Sequence, residues 1–272
     1  MPELLTLYPL TTCLILLATG VLIGLLGGLL GVGGGIVAVP VLLEVFSSVG
    51  VPAGEIVPLS VGTAQASVLV ASVLAAHAHW RAGTIDHGLV RQWLPGLLLG
   101  TAIGLVAGPM APPDLLTGTF AVVAAGLGIK MALGPRLVLT RHPLRGAIAQ
   151  LPAGLVGALA AALGVGGGTL STPTLALFSF PVQQAIGAGA LFNVIIAVPA
   201  TVAFLSMGWY APGRPADAVG DVALFCVAAL SLPALFVAPI AARWSTRVPV
   251  MLLRQSFALC LCLIAVRIVT RP

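Results

Sequence analysis

The chain has 272 residues, of which 59% are hydrophobic and only 7% are charged, and its mean hydropathy is +1.15. This composition exceeds what the core of a soluble protein needs and excludes a soluble single domain, because such a surface suits lipid as the solvent. The net charge of +5 does not indicate nucleic-acid binding, since the basic residues lie between apolar runs and form no stripe that alternates with aromatic residues.

Apolar runs of transmembrane length follow one another along the chain. A run of about 17 to 25 residues crosses a hydrocarbon core of roughly 30 Å as a helix. The first run follows Glu3 with no preceding Lys or Arg and no cleavage site, so we expect it to stay as a helix and not to be a signal peptide. Because no alternating barrel pattern is present, we predict an all-α polytopic membrane protein with eight long helices, at residues 8–30, 56–80, 92–108, 114–133, 146–163, 182–207, 220–242 and 250–269.

One glycine motif occurs twice, after the first and the fifth of these runs. The sequence Gly-Val-Gly-Gly-Gly stands at residues 31–35 and again at 164–168, and a proline follows four residues after each copy, at Pro40 and Pro173. Short apolar arms of about 36–47 and 169–180 come next and reach only about 18 Å as helices. We predict two homologous repeats, each with a short broken or half helix after its glycine break, and expect the proline in the first turn of that helix.

The loop charges predict that the second repeat is inverted. The loop with Arg81 and Arg91 is basic while its counterpart around Asp217 is not, and the next pair of loops has the opposite bias. We predict a first membrane repeat at 1–134, a cytoplasmic linker at 135–145 and a second membrane repeat at 146–272, with nine of the twelve Lys and Arg residues inside. If the short arms are re-entrant loops and do not span, the second half is not inverted.

The glycine motifs are the predicted substrate site. Each glycine in a helix costs about 1 kcal/mol relative to alanine, so three in succession indicate a structural requirement. They break the helix and leave amide N–H groups unpaired at the next helix start, where about half a positive charge can hold an anion. Isolated glycines such as Gly100 and Gly104 fit close helix packing instead. The glycines assigned to substrate binding are Gly33, Gly34, Gly35, Gly166, Gly167 and Gly168.

Polar side chains in the apolar segments are the remaining candidates for substrate binding. Amides and hydroxyls in hydrocarbon need partners and can donate to an oxyanion, although hydrogen bonds between helices satisfy them equally. The candidates are Thr63, Gln65, Asn193, Thr169 and Ser171.

Signatures of enzymes, metal sites and ATP-driven pumps do not occur in the sequence. No Ser-His-Asp set, zinc motif or phosphate-binding Gly-Lys-Ser/Thr loop is present, and the four cysteines have no metal-ligand spacing. His77 and His79 end a predicted helix, where we expect side chains to face water or headgroups. We predict no enzyme activity, no metal and no cofactor.

Three further stretches, at residues 76–86, 207–213 and 238–243, resemble the TauE/SafE family, also called the sulfite exporter or toluene sulfonate uptake permease family. With the glycine motifs the likeness extends from about residue 12 to 269. The resemblance implies a multi-pass carrier of the bacterial inner membrane that moves sulfite, sulfoacetate or another organosulfonate, commonly outward. It carries the motif glycines and prolines over as site residues, while Gln65 and Asn193 stand where the family often has Thr-Ser.

Motifs and resemblance together predict a secondary transporter that exports a small sulfur-containing anion. The anion is expected at the paired helix N-termini, with alternating access to the two sides. The expected partners are this anion and the lipid bilayer; proton coupling and flow down the membrane potential both stay open, and no oligomer is assigned. An anion channel of the same architecture and a non-transporting membrane scaffold are the alternatives.

Overall fold

The computed structural model describes residues 8–112, 146–209 and 213–245, together with 144, 247–249 and some positions within 115–129 and 251–259. In this part of the chain, eight α-helices and one two-stranded hairpin are formed. The helices are α1 Leu10–Leu30, α2 Gly35–Val49, α3 Ala53–Arg81, α4 His87–Ala107, α5 Gln150–Leu163, α6 Gly167–Leu177, α7 Val182–Ser206 and α8 Leu224–Ser245, and the strands are β1 Ala218–Val219 and β2 Val222–Ala223.

Six of these helices are long and apolar enough to cross a membrane, counting the 3₁₀ turns that extend α4 and α5. They are α1, α3, α4, α5, α7 and α8, and they match six of the predicted runs. The prediction of a helical, polytopic membrane protein is therefore confirmed. The two other predicted spans, at 114–133 and 250–269, lie mostly outside the described residues.

Small residues let the long helices pack with their backbones in contact. Gly100 of α4 faces Gly154 of α5 so closely that a Cβ on Gly100 would overlap the Gly154 carbonyl group. Gly20 and Gly28 of α1 approach the backbone of α8 in the same way. Such contacts replace the hydrophobic driving force that helices lack in lipid. They set α4 parallel to α5 and α1 parallel to α8, and they confirm the packing role expected for Gly100 and Gly104.

The molecule has two ends that differ in charge. At one end, which we call the Arg214 end, the Tyr8 hydroxyl donates to Asp217 at 3.1 Å, and Arg214 pairs with Glu55 at the start of α3. Arg81 and Arg243 lie together at the opposite end, which we call the Arg81 end. The short β1–β2 hairpin, which the sequence did not predict, belongs to the Arg214 end.

Two helical hairpins enter the molecule from these opposite ends. Helices α1 and α2 both have their outer ends at the Arg214 end, where Phe46 packs in one cluster with Tyr8. Helices α5 and α6 have theirs at the Arg81 end, where Phe180 and Asp86 line a common cavity. The glycine motifs form the tips of the hairpins, so both tips lie in the interior.

Helices α2 and α6 begin at the glycines themselves, at Gly35 and Gly167. The prediction that Pro40 and Pro173 occupy the first turn is therefore wrong, since both lie inside their helices. The turn made by the preceding glycine lets each helix start several residues earlier than a proline-led start would. A proline at an interior position removes one hydrogen bond of its helix, because it has no N–H to donate.

Candidate functional site

The two glycine motifs pack directly against each other at the tips of the hairpins, and we call this contact the glycine crossing (residues 31–35 and 164–168). A Cβ on Gly35 would lie 2.5 Å from the carbonyl oxygen of Gly164, and a Cβ on Gly168 would overlap the carbonyl oxygen of Gly31. The two contacts are reciprocal, because the same offset in sequence relates Gly31 to Gly164 and Gly35 to Gly168. Only glycine permits backbones this close.

The helices that lead into the crossing end in the same conformation. Gly31 closes α1 with φ 67° and ψ 17°, and Gly164 closes α5 with φ 70° and ψ 14°. Both are left-handed C-caps, a conformation that glycine adopts without steric cost. The sequence prediction that the glycines break the helices is confirmed at both copies.

Backbone amides at the start of α2 face the crossing without an internal partner. The first hydrogen bonds of α2 run from Val37 and Ala38 to the Gly34 carbonyl, at 3.0 and 3.1 Å. Within the described residues, the N–H groups of Gly35 and Ile36 donate to no backbone or side-chain acceptor, and both residues are buried. Buried N–H groups are normally paired, and at a helix start they favour negative charge.

Asn193 of α7 links the two glycine motifs through its side-chain amide. Its Oδ1 accepts from the Gly168 N–H at 2.6 Å and its Nδ2 donates to the Gly31 carbonyl at 3.0 Å, in a side chain that is 1% exposed. The N–H must donate and the carbonyl must accept, so only this orientation of the amide satisfies both groups. A polar oxygen of Asn193 therefore occupies the start of α6, where an anion oxygen would bind.

Thr169 and Ser171 bring hydroxyl groups to the first turns of α6. Thr169 Oγ1 lies 3.0 Å from the Val32 carbonyl oxygen and 2.8 Å from that of Val165, so it also joins the two motifs. Ser171 is fully buried and its hydroxyl has no hydrogen-bond partner among the described residues. A buried hydroxyl without a partner is unfavourable in an empty site and available to a ligand.

Gln65 lies beside the second motif, whereas Thr63 does not. Val61 and Val68 of α3 touch Gly164 and Gly166, and Gln65 stands between them on the same helix face. Gln65 Nε2 donates to the Ala160 carbonyl at 2.9 Å, and its Oε1 is buried without a partner in the described structure. Thr63 instead accepts from the Ala223 N–H of β2 at 3.0 Å.

His79 is a residue of this region that the sequence reasoning placed wrongly. It is 1% exposed, so the expectation that it faces water or headgroups is not met. Its Nε2 lies 3.1 Å from the Gly28 carbonyl oxygen and its Nδ1 lies 3.1 Å from Thr84 Oγ1. Because α1 stops at Gly31, the Gly28 carbonyl loses its helical partner, and His79 supplies the missing donor. The sequence carried no signal for this pairing across the fold.

A cavity leads toward the crossing from each end of the molecule. The Arg214 cavity has a volume of about 290 Å³, and the Arg81 cavity has a volume of about 300 Å³. Arg214 and Asp221 are the charged residues that line the first, and Arg81 and Arg243 line the second. The crossing lies in the interior between the two.

The sequence model of the family "Sulfite exporter TauE/SafE" matches residues 16–268 of the chain. The chain belongs to the TauE/SafE family. A probable membrane transporter protein of Haemophilus influenzae is 30% identical over 261 residues, which cover 94% of this chain and 97% of the relative. A second probable membrane transporter protein, from Methanocaldococcus jannaschii, is 25% identical over 219 residues, or 75% of this chain and 74% of the relative. No solved structure matches the chain significantly.

The match confirms the resemblance found in the sequence, and it identifies this TauE/SafE protein as a multi-pass membrane transporter and not an enzyme. The names of the relatives specify no substrate. What the transporter carries, and how, has to be argued from its own residues.

Proposed function

We propose that this TauE/SafE protein is a secondary transporter that exports a small sulfur-containing anion, such as sulfite, sulfoacetate or another organosulfonate, across the bacterial inner membrane. The anion is held at the glycine crossing by the starts of α2 and α6. The observation that carries the proposal is the set of buried, unpartnered donors at the crossing: the N–H groups of Gly35 and Ile36 and the hydroxyl of Ser171.

The chemistry of these donors favours an oxyanion. The crossing offers only neutral groups, which are amide N–H, hydroxyl and carboxamide, and no Lys or Arg lies within it. Helix starts add about half a positive charge each, so two of them balance one negative charge without a buried cation. A sulfite or sulfonate headgroup presents three oxygens, and it can accept from several such donors at once.

Asn193 has a defined part in this mechanism. Its Oδ1 takes the Gly168 N–H that an anion oxygen would take, so an anion binds at α6 by displacing that carboxamide oxygen. The Nδ2 group, which now donates to the Gly31 carbonyl, is then free to turn toward the anion. Asn193 thus closes the crossing while the site is empty and joins the site when an anion arrives.

The reciprocal contact of the motifs supports an inverted pair of repeats. Gly35 meets Gly164 and Gly168 meets Gly31, as a pseudo-twofold axis through the crossing requires, and the hairpins enter from opposite ends. In such an arrangement, rocking of one repeat against the other exposes the central site to the two sides in turn. We take residues 1–134 and 146–272 as these repeats, with residues 135–145 as the linker.

Charge supports the proposed orientation. Arg81 and Arg243 lie at one end, while Glu55, Asp217 and Asp221 share the other with Arg214. Because positive loops stay in the cytoplasm, the Arg81 end faces the cytoplasm and the Arg214 end faces outward. An anion that leaves the cell then gains about 2.3 kcal/mol per charge for each 100 mV of inside-negative potential.

Efflux from proteoliposomes tests the proposal. Vesicles loaded with sulfite or sulfoacetate are compared for wild type, Gly34→Ala and Gly167→Ala, each checked for a single folded peak by size exclusion. At Gly167 a Cβ would come within 2.6 Å of Ile196 Cδ1, and at Gly34 within 2.6 Å of Ile23 Cγ2, so both variants crowd the crossing. We expect saturable efflux from wild type and strongly reduced efflux from both variants.

The alternatives give different results in the same vesicles. A carrier shows counterflow, in which unlabelled anion outside accelerates release of labelled anion inside. Large single-channel currents without counterflow would replace the carrier with an anion channel. Absence of any sulfur-anion flux would contradict transport of this class and favour a scaffold.

A further inference from the structure

A buried ion cluster closes the Arg214 cavity. Arg214 Nη2 lies 2.5 Å from Glu55 Oε2, and the same nitrogen pairs with Asp221 Oδ1. Arg214 Nε also donates to Glu55 at 3.2 Å, and Nη1 donates to the Gly220 carbonyl. The side chains of Arg214 and Asp221 are 9% and 7% exposed, whereas that of Glu55 is 27% exposed.

The two carboxylates hold the guanidinium unequally. Glu55 accepts two hydrogen bonds from Arg214, at Nε and at Nη2. Asp221 Oδ1 is close enough for an ion pair but makes no well-directed hydrogen bond. Asp221 is therefore the partner that Arg214 loses more easily.

The cluster forms one wall of a cavity that otherwise has apolar walls. Pro58, Phe204 and Met207 line the space beside Arg214 and Asp221. A single guanidinium among apolar groups fits an organic anion that has a charged headgroup and a small carbon body. At about 290 Å³ the cavity has room for such an ion.

The inner part of the cavity reaches the second glycine motif. Val61 lines the cavity, and its Cα lies 3.0 Å from the position of a Cβ on Gly164. Ala162, two residues before that glycine, lines it as well. An anion held at Arg214 is thus next to the crossing, on the side that we assign to the outside.

Charge balance prevents anion binding while both carboxylates are ionised. One guanidinium and two carboxylates sum to one negative charge, so a further anion in the partly buried cavity is repelled. A proton on Asp221 removes one negative charge and its claim on Arg214. Burial raises the pKa of Asp221 in spite of the Arg214 charge, and the Glu55 charge adds to the rise.

We propose that the Arg214 cavity is a proton-linked anion site, in which an organic sulfonate replaces the Asp221 carboxylate on Arg214 as that carboxylate takes up one proton. Charge is conserved, because the proton and the anion enter together and the cluster keeps its single negative charge. The inference rests on the proposed function and deepens it, since it adds a second binding position and a coupling ion.

Few other titratable groups face Asp221 in the described structure. Glu55 comes from α3 and Arg214 from the same loop; α4, α5 and α7 contribute only uncharged residues to the cavity. Asp217 lies on the loop too, but it accepts from Tyr8 and from the Phe225 N–H and makes no pair with Arg214. Asp217 is therefore a matched control.

Binding of sulfoacetate to the purified full chain tests this site without any need for transport. The dissociation constant is measured by thermal shift and calorimetry at about pH 5.5 and about pH 8, for wild type, Asp221→Asn, Asp217→Asn and Arg214→Gln. We expect wild type and Asp217→Asn to bind at least about tenfold more weakly at the higher pH, as one linked proton requires. Asp221→Asn is expected to bind equally well at both values, and Arg214→Gln at neither.

The outcomes separate this inference from the proposed function. Binding by wild type that is independent of pH, or an Asp221→Asn variant with the wild-type pH dependence, would overturn the proton-linked site even if efflux is normal. The predicted binding pattern in a protein that shows no efflux would keep this site and reject the transport proposal. If Arg214→Gln does not fold, the comparison of Asp221→Asn with Asp217→Asn still decides.

Discussion

The first and second glycine motifs share a backbone and differ in their side chains. The C-caps Gly31 and Gly164 have nearly the same dihedral angles, and the contacts across the crossing are reciprocal. Around the first motif the following positions are apolar, with Ile36 where the second copy has Thr169. The counterpart of Asn193, by the same sequence offset, is Ser60 in α3.

This difference separates architecture from chemistry. Both copies supply the helix break and the close approach, which glycine alone permits. The first copy then contributes carbonyl oxygens, at Gly31 and Val32, as acceptors, while the second contributes the side chains that bond to them. We infer that an anion is read mainly by the second repeat and is framed by the first.

The largest expected effect comes from filling the crossing. Gly168→Ala places a Cβ onto the Gly31 carbonyl oxygen, and Gly35→Ala places one 2.5 Å from that of Gly164, so both should lose more than about 3 kcal/mol of stability. Gly54→Ala is the control, because nothing lies within 4 Å of its Cβ position. Thermal unfolding in detergent measures all three. An intact Gly168→Ala protein would contradict the reciprocal contact.

Asn193 and its counterpart Ser60 provide the next test. Asn193→Ala leaves the Gly168 N–H and the Gly31 carbonyl unpaired in a buried place, and we expect a loss of about 2–4 kcal/mol. The Ser60 hydroxyl is buried without a partner among the described residues, so Ser60→Ala should change stability by less than about 1 kcal/mol. Equal losses in the unfolding midpoint would remove the asymmetry between the two motifs.

Thr169→Val should have a smaller effect, of about 1 kcal/mol. The substitution keeps the shape and removes a hydroxyl that bonds to the Val32 and Val165 carbonyls. Thr201→Val, on α7, is the matched control, since the Thr201 hydroxyl is buried without a partner in the described part of the chain. The midpoint of Thr201→Val should equal or exceed that of wild type, and a lower midpoint than Thr169→Val would refute this ranking.

Ser171→Ala should have the smallest effect on folding and a clear effect on transport. Its hydroxyl has no partner in the described structure, so the change in stability is expected to stay below about 0.5 kcal/mol. If that hydroxyl donates to the anion, the KM for sulfoacetate efflux rises several-fold. Ser72→Ala, which removes another buried and unpartnered hydroxyl, should leave the KM unchanged.

The helices and the glycine breaks could be predicted because their signals are local. Apolar runs report the spans directly, since hydrocarbon leaves helices as the available structure. The repeated motif reports the breaks, because glycine is costly where nothing needs it. The exact starts of α2 and α6 could not be read, since the proline that suggested a first turn is also tolerated inside a packed helix.

The pairings across the fold could not be predicted from one sequence. Glu55 and Arg214 are 159 residues apart, and Asn193 reaches Gly31 over 162 residues, with no local pattern that joins them. His79 was assigned to water because it lies near a helix end, whereas its partner is a carbonyl set free by a different helix. Scarce charge was the one usable signal, since a chain with 7% charged residues seldom buries an unpaired arginine.

The central claim, that an anion binds at the glycine crossing in place of the Asn193 carboxamide, is tested most directly with Asn193→Asp. A carboxylate at that position is a permanent competitor for the Gly168 N–H, whereas Thr201→Val leaves the crossing unchanged. In proteoliposomes we expect saturable sulfoacetate efflux from wild type and Thr201→Val, and none from folded Asn193→Asp protein. Efflux by Asn193→Asp at the wild-type rate and KM would contradict the account.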